Sequence, residues 1–191
     1  MKRLICLLLC GLTLLSLTGC GAPKTETLDI FAMDTYMSLV AIGDGASDVL
    51  QACSNEINTL EQRLSRTIET SSVAQLNANG SAQLDDDTAA LLQAALQYSA
   101  ETGGTFDVTI APLVELWGIT GDAPRVPAQS EIDALLPLVG SEPVHLEGTA
   151  AALDDGCAID LGGIAKGYAS DKTAELFAGS GIFGGFVSLG G

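Results

Sequence analysis

The spacing of apolar and polar positions changes several times along the chain, and each change marks an element. Leu28 to Ile42 alternates as a strand would, with a break near Met33-Asp34-Thr35 and a closing turn at Gly43-Asp44-Gly45. From Ser47 the period shifts. Leu50, Cys53, Ile57, Leu60 and Leu64 recur at steps of three and four, which predicts an amphipathic helix. Ser65 to Thr70 is polar and reads as a loop, and Ser72 to Leu76 as a short helix before an Asn79-Gly80 turn. Asp85-Asp86-Asp87 precedes a helix that runs to about Ala100, where acidic residues suit the N-cap and the helix dipole. Those three aspartates read as a solvated helix start rather than a metal site. After Gly103-Gly104, the residues Phe106, Val108 and Ile110 alternate as a strand, and Pro112 starts a short helix carrying Leu116 and a core Trp117.

Gly121 to Gln129, with Pro124 and Pro127, predicts a loop, and Ser130 with Asp133 a capping box for a brief helix. Val144 to Glu147, the Asp154-Asp155-Gly156 turn and Cys157 to Leu161 suggest a strand pair. Gly162-Gly163 leads into a helix from Ile164 to about Ala178, and Phe186 to Leu189 is the next strand. Strands and helices interleave without regular βαβ alternation. The expected fold is therefore mixed α/β, closer to α+β, in one domain. A stop at Gly190-Gly191, directly after an apolar strand, leads us to expect a domain incomplete at its C-terminus.

The N-terminus carries a different message. Lys2 and Arg3 precede the apolar run Leu4 to Leu17, and small residues then lead to Cys20. That order describes a secretory signal, and the run is short of the about 20 residues a transmembrane helix needs. Leu17-Thr18-Gly19-Cys20 resembles the bacterial lipobox, which makes Cys20 the expected lipidation site and the mature N-terminus. The chain then divides into a signal (1–19), a polar tether (20–27) and a domain (28–191), exported and lipid-anchored to the bacterial membrane. The formal net charge of −16 argues against nucleic-acid binding, which rests on Lys and Arg. It also leaves membrane attachment to the lipid rather than to charge. An acidic chain can still hold a phosphorylated ligand if a divalent metal bridges the two. Of five cysteines, Cys53 and Cys157 lie in the domain; they are expected as two buried thiols, with a disulfide the alternative. One histidine, His145, and no Cys/His cluster make a zinc site improbable.

Three segments carry candidate chemistry. In Asp160-Leu161-Gly162-Gly163-Ile164-Ala165-Lys166-Gly167-Tyr168-Ala169, an acid, a glycine pair and a helix start with a lysine one turn in suit an anion. A tight turn with a surface lysine explains the same spacing. It is neither a Walker A loop nor a dinucleotide fingerprint. In Gly103 to Thr109, Phe106 offers a flat apolar face and Asp107 a hydrogen-bond acceptor, or the two are a core ring and a turn residue. Met33 can lie against an aromatic ring through its sulfur or simply fill core.

Together with Leu64-Ser65, Ser72 to Asn77 and Phe186 to Gly191, these segments resemble, in order and spacing, the ApbE-type family of FAD:protein FMN transferases. The resemblance covers nearly the whole mature chain. It implies that FAD is bound with Mg²⁺ on its pyrophosphate. A threonine hydroxyl of an acceptor flavoprotein attacks the FMN-side phosphorus, and AMP leaves. It also implies that Met33, Thr105, Phe106, Asp107 and Lys166 contact FAD and that the backbone carbonyl of Ala169 ligates the metal. Thr67 stands where some members place an aromatic residue against the flavin. The family's main metal ligands and candidate base are expected beyond Gly191, so no catalytic residue is named and the 191-residue chain is expected to be inactive. The competing readings are a flavin-binding or electron-transfer lipoprotein without transferase activity, and a substrate-binding or structural lipoprotein of the envelope.

Overall fold

A computed structural model of the chain describes residues 22–119, 121 and 123–190. The expected signal and Cys20 lie outside the described residues. Strand β1 (Thr25–Ala32) pairs antiparallel with β2 (Thr35–Ile42), in register from Thr25 opposite Ile42 to Ala32 opposite Thr35. The expected tether is therefore shorter than the pattern suggested, because its last three residues join the ladder. Met37, Leu39 and Ala41 point to one face and are at most 2% exposed, while Tyr36 on the other face is open. That is the period-2 signature of a sheet covered on one side.

The cover is helical. Helix α1 (Ala46–Leu64) turns its whole predicted stripe inward, with Leu50, Cys53, Ile57, Leu60 and Leu64 all buried, and packs against β1 and β2. After α2 (Ser72–Asn79) come a short strand β3 (Ser81–Gln83) and helix α3 (Asp86–Glu101). A 3₁₀ turn (Val108–Ile110) runs straight into α4 (Ala111–Trp117), and α5 (Gln129–Leu135) follows. Strands β4 (Val144–Glu147) and β5 (Ala150–Leu153) join β3 in a second antiparallel sheet of order β3-β5-β4. Helix α6 (Gly162–Ser180) lies beside α1, and β6 (Gly184–Ser188) returns to pair antiparallel with β2, giving the first sheet the order β1-β2-β6. Two small antiparallel sheets with helices packed on them make the fold α+β.

Five local expectations are corrected. Phe106 to Ile110 is not a strand: Asp107 Oδ1 accepts from the Thr109 amide at 2.8 Å and its hydroxyl at 2.6 Å, which curls the chain into a turn. Cys157 to Leu161 joins neither sheet; the strand pair is β4 with β5, and Ile159 finds its partner in a side chain described below. Helix α5 is not capped by Ser130; the Glu131 carboxylate accepts from the Ala128 amide at 2.8 Å. Trp117 is half-buried rather than core, since α4 sits at the edge of the fold. The three aspartates are not uniformly solvated. Asp85 caps α3, Asp86 alone is exposed, and Asp87 is bound by groups from α1 and α6.

Candidate active site

Three stretches far apart in sequence converge on a cleft of about 250 Å³. The first is the β1–β2 turn. Met33 and Asp34 form the whole connection and both have positive φ, 50° and 57°, the pattern of a type I′ hairpin. This region costs L-residues about 1–2 kcal/mol each, less for Asp than for Met. The conformation is held from both sides. The ladder closes on Ala32 and Thr35, and the carboxylate Oε1 of Glu61, in the last turn of α1, accepts from the Met33 amide at 2.7 Å.

The second stretch is the loop after α1. Ser65 Oγ accepts from the Thr67 and Ile68 amides at 3.2 and 3.3 Å, and the Ser71 hydroxyl donates to the Ser65 carbonyl. Ser71 also caps α2 by accepting from Ala74 N at 2.9 Å. Two serines thus close the loop and push Arg66 and Thr67 toward the cleft. The Arg66 side chain is only 9% exposed; its Nε donates to Asp160 Oδ2 at 2.8 Å, and an Nη contacts Glu115 Oε1 at 3.4 Å.

The third stretch enters α6. Asn77, half-buried on α2, donates to the Ile159 carbonyl and accepts from the Ile159 amide, both at 2.8 Å. That side chain replaces a strand partner for a fully buried residue. Next along, the Asp160 amide donates to the Val108 carbonyl at 2.7 Å, and Asp160 Oδ1 accepts from the Gly162 amide at 2.7 Å. Gly162 and Gly163 are exposed at the start of α6, and Lys166 lines the cleft one turn in.

The structure sorts the sequence-predicted residues into three groups. Met33, Thr67 and Lys166 line the cleft together. Thr105, Phe106 and Asp107 lie beside it, joined to it through the Asp160–Val108 bond. The Phe106 ring stands where a side chain on Gly163 would begin, with Cε2 3.2 Å from the position of a Cβ there. Asp107 spends one oxygen on Thr109, and the Thr105 hydroxyl donates to the Thr102 carbonyl at 2.6 Å. Ala169 is fully buried in the middle of α6 and is not in the lining. A carbonyl there belongs to the helix ladder. Among the described residues no group of three or more His, Cys, Asp or Glu could hold a metal ion. The described residues by themselves therefore supply no carboxylate or imidazole ligand set for Mg²⁺.

Sequence reasoning missed Glu61 and Arg66 as cleft residues. Glu61 follows Leu60 on a helix whose sequence signal is its apolar stripe, and Arg66 sits in a polar loop without a motif. Among the lining residues, Arg66 and Lys166 face Asp34, Glu61 and Asp160. The cleft is thus mixed in sign: Lys166 at the positive end of α6 suits an anion, and the Met33 sulfur and Leu64 offer apolar contact.

Comparison with known proteins bears on this geometry. The model of the ApbE family matches residues 33–191. A Treponema pallidum protein named FAD:protein FMN transferase is 32% identical over 160 residues, covering 76% of this chain and 44% of that protein. A Vibrio cholerae protein of the same name is 28% identical over 190 residues, covering 94% and 57%. Among solved structures, the ApbE protein of Thermotoga maritima superposes with a TM-score of 0.82 at 31% identity, covering 86% of this chain and 56% of the other. The chain spans about half the length of the curated relatives it matches.

Proposed function

Because the chain belongs to the ApbE family, we propose that the protein takes part in FAD:protein FMN transfer, the activity for which its curated relatives are named. In this reading the cleft receives FAD. The hydroxyl of a threonine in an acceptor protein attacks the FMN-side phosphorus, the bond to AMP breaks, and FMN stays on the acceptor as a phosphoester. The observation that carries the reading is the convergence of Met33, Thr67 and Lys166 on one cleft beside the exposed Gly162 and Gly163 at the start of α6. Lys166 and the positive end of the α6 dipole favour the pyrophosphate. The Met33 sulfur gives a polarizable contact for a ring, and the Phe106 ring packed at Gly163 supports the wall behind it. Phosphoryl transfer asks the protein mainly for positioning and charge neutralisation, and this cleft supplies part of both.

Two parts of the proposal rest on the sequence and the resemblance. One is a Mg²⁺ requirement, for which the described residues offer no ligand set. The other is export with a lipid on Cys20. One experiment addresses transfer and the metal, and a second the anchor. The gene product, expressed through its natural stop codon, is incubated with FAD, Mg²⁺ and a threonine-containing acceptor, and the acceptor's intact mass is recorded. A gain of one FMN, absent when EDTA is added, is the expected outcome. FAD retention without mass gain would replace transfer by flavin binding alone. Recovery of the transferase from the detergent phase of a Triton X-114 partition, lost in Cys20→Ser, is expected for the anchor.

A further inference from the structure

Glu61 is not part of any motif read from the sequence, yet it sits at the joint between the helical core and the cleft. It leaves α1 one turn before the helix ends, lines the cleft, and spends Oε1 on the amide of Met33 at 2.7 Å. That amide belongs to a residue in the left-handed region, followed by a second such residue, and neither is a glycine. Two adjacent non-glycine residues at positive φ persist only where the surroundings over-determine them. Here the surroundings are few. The strand ladder fixes the ends, the Thr35 side chain lies against Gly190 so closely that a Cβ there would meet its Oγ1 at 2.6 Å, and Glu61 holds the turn itself.

We infer that Glu61 is a positioning residue for FAD: its carboxylate holds the strained Met33–Asp34 turn in the conformation that presents the Met33 side chain to the cleft. The inference rests on the proposed function, because it concerns how that same cleft receives its flavin. Glu61 acts as an acceptor, not as a charge. The bond that Glu61 makes in the cleft is to a neutral backbone amide, which needs an acceptor oxygen and not a negative charge. The α1 helix, anchored by its buried stripe, thereby transmits the rigidity of the core to a two-residue turn.

The acceptor role separates two substitutions. Glu61→Ala removes the hydrogen bond; Glu61→Gln keeps an oxygen at the same reach and removes only the charge. FAD binding to the full-length gene product, followed by flavin fluorescence, is expected to weaken about tenfold in Glu61→Ala and to stay within about threefold in Glu61→Gln. Hydrogen exchange at the Met33 amide should quicken in Glu61→Ala and not in Glu61→Gln. In turnover, the loss should fall on KM for FAD, with kcat at saturating FAD within about twofold of the parent, whereas a general loss of fold would lower both. Thermal unfolding identifies any variant that has simply failed to fold, and the Glu61→Gln comparison carries the test in that case. Equal weakening in both variants would mean that the carboxylate charge itself matters, and the inference fails. Unchanged FAD affinity in Glu61→Ala also overturns it. If the parent protein binds no FAD, the proposed function fails first, and the Met33 exchange result still reports on the hold of the turn.

Discussion

At the scale of single residues, the site depends on side chains that stand in for missing backbone partners. Asn77 is the clearest. Ile159 belongs to no strand, and its amide and carbonyl are satisfied by one carboxamide. Asn77→Ala leaves both groups unpaired in a fully buried stretch, and an unmade bond of this kind costs more than a made one gains. Urea unfolding is expected to show a loss of about 2 kcal/mol. FAD affinity should fall with it, since Asp160 and the start of α6 follow immediately. Little of this was legible beforehand. The Ser72 to Asn77 stretch was recognisable by its family resemblance, but its bond to a residue 82 positions away has no local signature. Met33 and Lys166 were legible because they sit in motifs. Thr105 and Asp107 lie beside the cleft and not in its lining, because their side chains serve the turn they stand in. Ala169 was placed by its motif alone, and the structure sets it fully buried in the middle of α6, outside the lining.

At the scale of elements, periodicity foretold the helices well and the strands unevenly. A stripe such as Leu50 to Leu64 commits a helix over several turns, whereas Phe106, Val108 and Ile110 gave the same alternation as a strand for only three steps. An aspartate one position before Val108 then decided for a turn. The start of α3 shows how elements are fastened to one another. Asp87 accepts from the Tyr168 hydroxyl at 2.6 Å, pairs with Lys172 at 3.1 Å, both on α6, and takes Arg63 of α1 at 3.0 Å. The hydrogen bond from Tyr168, then that from Lys172, hold the Asp87 carboxyl below its ordinary range. Asp85 is also lowered: burial pushes it up, but the Thr88 hydroxyl and amide, the Ser72 hydroxyl and Arg63 outweigh that. A lowered carboxyl stabilises the fold above its ordinary titration range and loses that contribution as the pH falls through the depressed value. Lys172 is raised by Asp87 first and Tyr168 second, so its share is present through neutral pH and fades only at alkaline pH. Asp87→Asn is expected to cost about 1–2 kcal/mol at pH 7, a range that allows for partial solvent screening. Measured by chemical denaturation at pH 3, the difference from the parent should shrink, because below the ordinary carboxyl range the unfolded parent takes up the proton that the folded Asp87 resists.

At the scale of the whole molecule, the core of the first sheet, α1 and α6 encloses Cys53, and burial pushes its thiol up to about 11. Cys157 is also buried and free, so the two remain separate thiols. Thiolate is the reactive form, and Cys53 is both protonated and covered near neutral pH. Iodoacetamide at pH 8 should therefore label Cys53 only as fast as the core opens, with the rate rising steeply in urea; rapid labelling of the native protein would show that α1 and α6 part easily. What the sequence could not supply at this scale was adjacency. Nothing local says that β6 returns to β2, or that residues 33, 66 and 160 share a cleft, because those neighbours are set by how the helices stack on the sheet. The two-residue turn has a last consequence, for chain length. Surface loops commonly tolerate insertions, but a residue added between Met33 and Asp34 has two outcomes. It bulges outward and carries the Met33 amide off the Glu61 carboxylate, or it slips the β1–β2 pairing by one. A slip by one turns Met37, Leu39 and Ala41 from the helices toward water. Homologous chains that keep this cleft should vary freely in length elsewhere and hold this connection at two residues.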